Sequence, residues 1–115
     1  MESLNRVELI GNIGQVRVSE VGNTRLARIS LATNCAYKQT DSMVVETTWH
    51  NLTIFQTEKN VDLSLLEKGK ALRILGRIRN QRFIGSDGMD HYLTEIIVSE
   101  SSLIDGNLSM QTTGL

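Results

Sequence analysis

The side chains of this sequence best suited to chemistry are aromatic rings and cations. Trp49 and Phe55 lie six residues apart in V-V-E-T-T-W-H-N-L-T-I-F, residues 44–55, so on an extended strand they share one face with Thr and Asn. Leu52 and Ile54 fall on the other face, which we predict to be core. Rings on a polar strand face suit base stacking, because every nucleobase offers a π-face. From this strand alone, the alternative that both rings are core and the faces are reversed stays open.

The cations are concentrated in one segment. Residues 68–82, K-G-K-A-L-R-I-L-G-R-I-R-N-Q-R, hold half of the 12 basic residues and no acid, whereas the rest of the chain is strongly acidic. The net charge of −1 argues against an anionic partner, but the distribution of charge matters more than its sum. Tyr37 precedes Lys38, and Phe83 follows Arg82. Rings interleaved with cations are typical of grooves that bind single-stranded nucleic acid.

Residues that could support catalysis or hold a metal form no such pattern. Neither His50 nor His91 has a partner at metal-ligand spacing, and Cys35, the single cysteine, excludes both an intrachain disulfide and a cysteine zinc cluster. The segment G-N-I-G at 11–14 lacks the spacing and the Lys-Ser/Thr of a phosphate loop. We therefore predict a non-enzymatic protein with no catalytic residue, no metal and no cofactor.

The elements that must position these residues are predicted to be strands. Glycines at 11, 14 and 76 mark bends or bulges, and turns are expected at 21–23 and 86–88. A short helix, Asp62–Lys68, is capped by Asp62 and stopped by Gly69. On the fourth strand, Leu72, Ile74 and Ile78 point inward. The predicted strands are Asn5–Ile13 with a continuation at Val16–Val18, Arg25–Asn34, Val44–Phe55, Lys70–Phe83 and His91–Ser99, with a loop at 37–42.

This order predicts an all-β protein: a five-stranded OB-fold Greek-key barrel with one short helix between strands three and four. We expect one domain over residues 1–100 and a polar, disordered tail over 101–115. The sequence has no apolar run long enough for a secretory signal or a membrane span, so a cytoplasmic location is the default expectation.

Six short motifs, in register from about residue 5 to residue 99, resemble the bacterial single-stranded DNA-binding protein family. They are N-R-V-E-L-I-G-N-I-G at 5–14, S-L-A-T at 30–33, T-x-W-H at 47–50, L-x-K-G at 66–69, G-R-I-R at 76–79 and D-G-x-x-x-Y-x-T-E at 87–95. The resemblance implies sequence-tolerant binding of single-stranded DNA in replication, repair or recombination, in the bacterial cytoplasm at the nucleoid. It also implies a homotetramer, with a dimer as the alternative.

The resemblance assigns roles to particular side chains. It implies base stacking by Tyr37, Trp49, Phe55 and Phe83; the family often has Trp in place of Tyr37 and Phe83, so we expect a modestly weaker affinity here. The family's basic contacts carry over to Arg17, Lys68, Arg79 and Arg82. Strand alternation adds Arg73 and Arg77 as our own inference. His50 matches a family histidine near the subunit interface.

Three departures from the family pattern bear on this assignment. The loop at 14–17 is shorter than the family's G-x-D-P-E-x-R, and Leu65 replaces a common aromatic. The family's acidic, Phe-terminated tip is absent, so we do not expect partner proteins to dock through it, whether the chain is truncated or of a tail-less type. The rival interpretations are a replication-restart accessory protein acting through protein contacts, an OB-fold nuclease or sugar-binding module, and a structural protein that binds no nucleic acid.

Overall fold

A computed structural model describes residues 1–106 and residue 108, together with the backbone of 111–113. Most of the chain is extended, and four of the five predicted strands are longer than the sequence predicts, whereas the fourth keeps its predicted length. The strands are β1 (Val7–Val21), β2 (Thr24–Gln39), β3 (Ser42–Phe55), β4 (Ala71–Ile84), β5 (Asp90–Ile104) and β6 (Gln111–Thr113).

The first five strands close into a barrel. Neighbouring strands follow the order β1-β4-β5-β3-β2-β6, and an additional pairing of β1 with β2 closes the sheet. The pairs within the barrel are antiparallel except β3 with β5, which run parallel at Leu52–Ile54 and Ile96–Val98. The predicted five-stranded OB-fold barrel is confirmed, and β6 adds a short parallel strand beside β2.

The core is built from alternate residues of these strands. Leu31, Leu52, Ile54, Leu72 and Ile74 are fully buried, which confirms that the Leu52 face of β3 is the inner one. Trp49, on the opposite face, is 60% exposed, so the alternative that this ring is core is wrong. Burying aliphatic side chains of this size contributes about 1.5–3 kcal/mol each.

The predicted helix between β3 and β4 is a single 3₁₀ turn, Leu63–Leu65. Asp62 is its N-cap, as predicted, and accepts a hydrogen bond from the Ser64 amide. The turn does not continue because Leu66 is already extended. Leu63 and Leu66 are both buried, and the three-residue period of a 3₁₀ turn lets side chains three apart reach the same end of the barrel.

A bulge near Gly76 bends the β4–β5 pair, as the sequence predicts. The extra residue is Ser99 on β5, whose hydroxyl donates to the Leu75 carbonyl at 3.0 Å. A side-chain carbon at Gly76 would come within 2.3 Å of the Ile97 carbonyl oxygen, so only glycine allows this approach. The predicted burial of Ile78 is wrong: the residue is 46% exposed, because the pairing of β1 with β4 ends at Gly76 and no longer covers this part of β4.

Two predicted boundaries also change. Residues 37–39 belong to β2, because β2 and β3 pair in unbroken register from Leu26–Phe55 to Gln39–Ser42, and the predicted loop shrinks to a tight turn. Residues 101–104 belong to β5, where they pair with Ala71–Ile74 of β4, so the prediction that this part of the tail is disordered is wrong. The predicted disorder of residues 107, 109, 110, 114 and 115 concerns positions outside the described residues.

The segment between β3 and the 3₁₀ turn is fixed by hydrogen bonds to buried polar groups. Asn60 donates to the Phe55 carbonyl at 2.9 Å and accepts from the Ser101 hydroxyl at 2.8 Å. Ser101 also accepts from the Val61 amide at 3.0 Å. The end of β5 is therefore part of the folded domain. Among the residues described, no helix is long and apolar enough to cross a membrane.

Candidate nucleic-acid interface

An open groove crosses the outer face of the barrel and receives side chains from all five of its strands. The third strand runs along the groove, which Asn51 and Thr53 line. Trp49 precedes these two residues and Phe55 follows them on the same face of the strand. Six residues of strand separate the two rings by about 20 Å. The groove is lined by Gln15, Arg17, Arg28, Ile29, Ser30, Asn51, Leu52, Thr53, Gln81, Phe83, Leu93 and Glu95.

Gly14 of β1 leaves room for the Trp49 ring, which packs against the backbone there. A side-chain carbon at Gly14 would come within 2.5 Å of the Trp49 ring and 2.7 Å of the Ser30 hydroxyl. The Ser30 hydroxyl accepts from the Gln15 amide at 2.9 Å, which fixes the strand at this point. The large ring thus lies close to the backbone of β1 while most of its surface stays open.

Two arginines supply positive charge to the groove from adjacent strands. Arg17 of β1 and Arg28 of β2 are directly opposite each other in the β1–β2 register. Neither takes part in the five ion pairs found among the described residues. Both guanidinium groups are therefore available to an anionic ligand. Sequence reasoning found Arg17 through the family resemblance but missed Arg28, which the alternation of Arg28 with the buried Ala27 and Ile29 could have indicated.

The groove floor contains a buried carboxylate. Glu95, with 8% of its side chain exposed, accepts from the Thr53 hydroxyl at 2.8 Å and from Arg79 at 2.8 and 3.2 Å. Arg79 keeps 44% of its side chain exposed. The Arg79 charge is thus largely compensated within the protein. Sequence reasoning did not single out Glu95, because a glutamate on the strand face opposite Ile96 is a residue type expected at the surface.

Phe83 lines the groove near the tip of the β4–β5 hairpin. Its ring stacks on His91, the residue directly opposite it, with centroids 5.5 Å apart. Hydrogen bonds from the Met89 amide, and after it from His91, lower the pKa of the Asp87 carboxyl in the same turn. This ring pair was not anticipated, since the two residues meet only through the hairpin register.

The other predicted basic residues lie outside the groove. Arg73 bonds to Glu8 of β1, and Arg82 pairs with Asp90 at 3.2 Å, on the hairpin face opposite Phe83. Arg77 is exposed further along β4, and Lys68 lies in the turn before Gly69. The structure therefore brings together only part of the predicted basic set.

Tyr37 and His50 occupy the long β2–β3 arm. The unbroken register places half-buried Tyr37 opposite Val44, on the strand face that also carries Leu31, and not on the face of Trp49. His50 is half-buried, with Nε2 2.8 Å from the Thr33 hydroxyl, and desolvation lowers the pKa of its imidazole. Its predicted place in a subunit interface stays a prediction, as do the DNA contacts predicted for the other residues.

No metal centre is formed by the described part of the chain: it holds no group of three or more His, Cys, Asp or Glu side chains placed to bind an ion. The groove instead combines aromatic rings, amide side chains and two arginines that form no ion pair with the residues described. These groups can stack on planar ligands and contact anions.

Residues 4–104 match the model of the Single-strand binding protein family. The chain belongs to this family. Membership confirms the resemblance carried by the sequence motifs. The family match also covers the whole barrel, from before β1 to the last residue of β5.

Two relatives within the family are named Single-stranded DNA-binding protein. One, from Xylella fastidiosa, is 35% identical over 107 residues, which is 90% of this chain and 65% of the relative. The other, from Xanthomonas axonopodis pv. citri, is 30% identical and is covered over 59% of its length. The chain therefore spans about two thirds or less of these relatives. A solved Plasmodium falciparum SSB complex with ssDNA superposes with a TM-score of 0.76 at 28% identity, covering 90% of this chain and 96% of that one.

Proposed function

We propose that this protein binds single-stranded DNA without sequence preference and so protects exposed strands during replication, repair or recombination. The single observation that carries the proposal is the groove that Trp49 flanks: an exposed ring stands at its side, and two arginines in its lining have no acidic partner among the described residues. The family, the names of its two relatives and the DNA-bound structural neighbour support the same ligand.

Base stacking supplies the sequence-tolerant part of the affinity. Trp49, Phe55 and Phe83 are the rings of the groove, and each stacked base contributes roughly 1–3 kcal/mol. The contact that the family resemblance predicts for Tyr37 would lie beyond the groove, on the other face of the β2–β3 arm. The π-face of every base is available for such contacts, so the order of bases matters little.

Phosphate contacts supply the salt-dependent part. Arg17 and Arg28 are the first candidates, because neither is neutralised by a carboxylate of the described residues. Arg79 contributes through its exposed portion. Lys68, Arg73, Arg77 and Arg82 would contact DNA that continues past the groove and around an assembled oligomer. Each neutralised phosphate steepens the dependence of log K on log salt by roughly 0.7 for a single strand.

We infer that the chain assembles with copies of itself, as a homotetramer or a dimer. Along Val7–Gly11, β1 pairs with β4, and its other edge is not covered by any strand of the described residues. Ile10 in this stretch is 47% exposed on the outer face. An unpaired edge next to an exposed aliphatic side chain favours pairing with a second chain. A half-buried His50 would be covered further at such an interface.

The test uses the fluorescence of the only tryptophan. The protein is titrated with oligo-dT, oligo-dA and duplex DNA at low and raised salt, and Trp49→Phe serves as a control for non-specific signal. We expect strong quenching by both oligonucleotides, weak response to duplex and weaker binding at raised salt. If oligo-dT binds no better than duplex and leaves the fluorescence unchanged, the proposal fails and a role through protein contacts takes its place.

A further inference from the structure

The Phe83 ring does not stand alone at the edge of the groove. His91 lies directly opposite it in the β4–β5 register, and the two rings stack with centroids 5.5 Å apart and an interplanar angle of 20°. Phe83 lines the groove, so the stacked partner lies on the same face of the hairpin. About half of each side chain is exposed.

Three neighbours fix the orientation of the His91 ring. Phe83 covers one of its faces, and Nε2 lies 3.0 and 3.2 Å from the two carboxylate oxygens of Asp87. Gly85 leaves room for it, because a side-chain carbon there would come within 2.5 Å of the imidazole. An imidazole held in this way loses little further freedom when a ligand binds.

We propose that His91 is a further DNA-binding residue, which forms with Phe83 a two-ring platform for a base and, when protonated, places a cation beside the neighbouring phosphates. The inference rests on the proposed function, since it concerns the same groove. A base that stacks on the open face of Phe83 would extend the existing Phe83–His91 stack to three rings. Imidazolium against an aromatic face adds a cation–π attraction to that stack.

The charges around His91 set the direction of the pH effect. Asp87 faces its Nε2, while the adjacent Asp90 is paired with Arg82 at 3.2 Å across the hairpin. Histidine is the side chain whose charge changes between about pH 5 and 8. A negatively charged phosphate attracts the protonated imidazole but not the neutral one, so we expect binding to tighten as the pH falls.

The experiment compares four variants with the wild-type chain: His91→Ala, His91→Phe, Phe83→Ala and the Phe83→Ala/His91→Ala double variant. Affinity for fluorescein-labelled oligo-dT is measured by anisotropy at about pH 8 and about pH 5.5. His50 is present in every variant, so its own titration cancels in the comparison. Thermal melting of each variant shows that the hairpin change leaves the barrel folded.

At the higher pH we expect His91→Ala to bind about two- to tenfold more weakly, the range associated with a stacked aromatic pair. His91→Phe should bind like the wild type at that pH but lack the additional tightening at the lower pH. In the Phe83→Ala background, His91→Ala should have little further effect, since the platform is already lost.

Other outcomes would overturn the inference. If His91→Ala binds as tightly as the wild type at both pH values, or if the two alanine effects simply add, His91 is a turn residue that does not serve the groove. Should His91→Ala fail to fold, His91→Phe still decides through its pH dependence, because unchanged tightening in that variant excludes the imidazole. Failure of the wild type itself to bind oligo-dT would refute the proposed function as well, whereas the preceding results refute the role of His91 alone.

Discussion

Removing the charge of the buried Glu95 carboxylate should lower the stability of the protein and raise its affinity for single-stranded DNA. Both effects can be measured on one variant. Glu95→Gln keeps the shape of the side chain but removes the negative charge that holds Arg79. The change weakens two charge-assisted contacts, one to Thr53 and one to Arg79. Hydrogen bonds to charged groups contribute about 1.5–3 kcal/mol each, of which a glutamine amide recovers part. Because Arg79 is 44% exposed and can turn to solvent, we expect a net loss of about 2 kcal/mol.

The same variant should bind single-stranded DNA more tightly. The freed Arg79 guanidinium can contact one additional phosphate, and the groove no longer contains a carboxylate that repels the strand. An added exposed ion pair is worth about 0.5–1 kcal/mol, which corresponds to a two- to fivefold lower Kd at low salt. The slope of log K against log salt should become steeper by roughly 0.7.

The assay follows thermal unfolding and oligo-dT anisotropy across a salt series for Glu95→Gln and for Glu100→Gln. Glu100 is exposed on the same strand, outside the groove, so its variant has the same change in net charge without the change at Arg79. We expect a Tm about 10 °C lower for Glu95→Gln only. A Glu95→Gln protein that binds more weakly, with a shallower salt slope, would refute this reasoning and show that Glu95 aims Arg79 at the DNA.

Three further predictions concern stability. Leu63→Ala should lower the free energy of unfolding by about 2–5 kcal/mol in denaturant titrations, since the Leu63 side chain is 1% exposed, while Leu65→Ala on the exposed side of the same turn should change it little. Asn60→Ala should cost about 1–3 kcal/mol by the same measurement, because it leaves the Ser101 hydroxyl without its acceptor; an unchanged midpoint would show that water replaces Asn60. Desolvation lowers the pKa of His50, so its neutral form is favoured in the folded state. The resulting contribution to the free energy of unfolding is complete above about pH 6.5, the ordinary pKa of histidine, and is lost as the pH falls through the lower pKa of the folded state. Melting at a series of pH values should show a smaller acid-side loss of stability for His50→Gln than for the wild type, and parallel curves would refute the assignment.

Much of the fold follows from local patterns. Alternation on the third strand predicted the core positions of Leu52 and Ile54, and the turns around Gly22 and Gly88 lie where the sequence predicts them. The lengths of all the predicted strands except the fourth were underestimated. Residues 37–39 and 101–104 have no clear apolar alternation, and they are extended because a neighbouring strand supplies their hydrogen bonds.

The sequence could identify those site residues whose role follows from their residue type and from their position along a single strand. Trp49, Phe55 and Phe83 were found in this way and through the family motifs. His91 was missed because its significance depends on Phe83, which lies across the strand pair, whereas Arg28 was overlooked although its alternation with Ala27 and Ile29 indicates an outward position. Cross-strand register is not visible in a single strand's sequence.

The sequence by itself determined an all-β barrel with one core face per strand and the family motifs, because alternation and short motifs are local properties of the chain. Whether Trp49 is exposed was left open by its own strand and was decided by the structure. Tertiary structure alone decided which charges are free. Arg79 and Arg82 are each paired with a carboxylate from β5, whereas Arg17 and Arg28 face the groove without one among the described residues. The physical reason is that electrostatic pairing depends on distances of a few ångströms between strands, and the barrel sets those distances only when it closes.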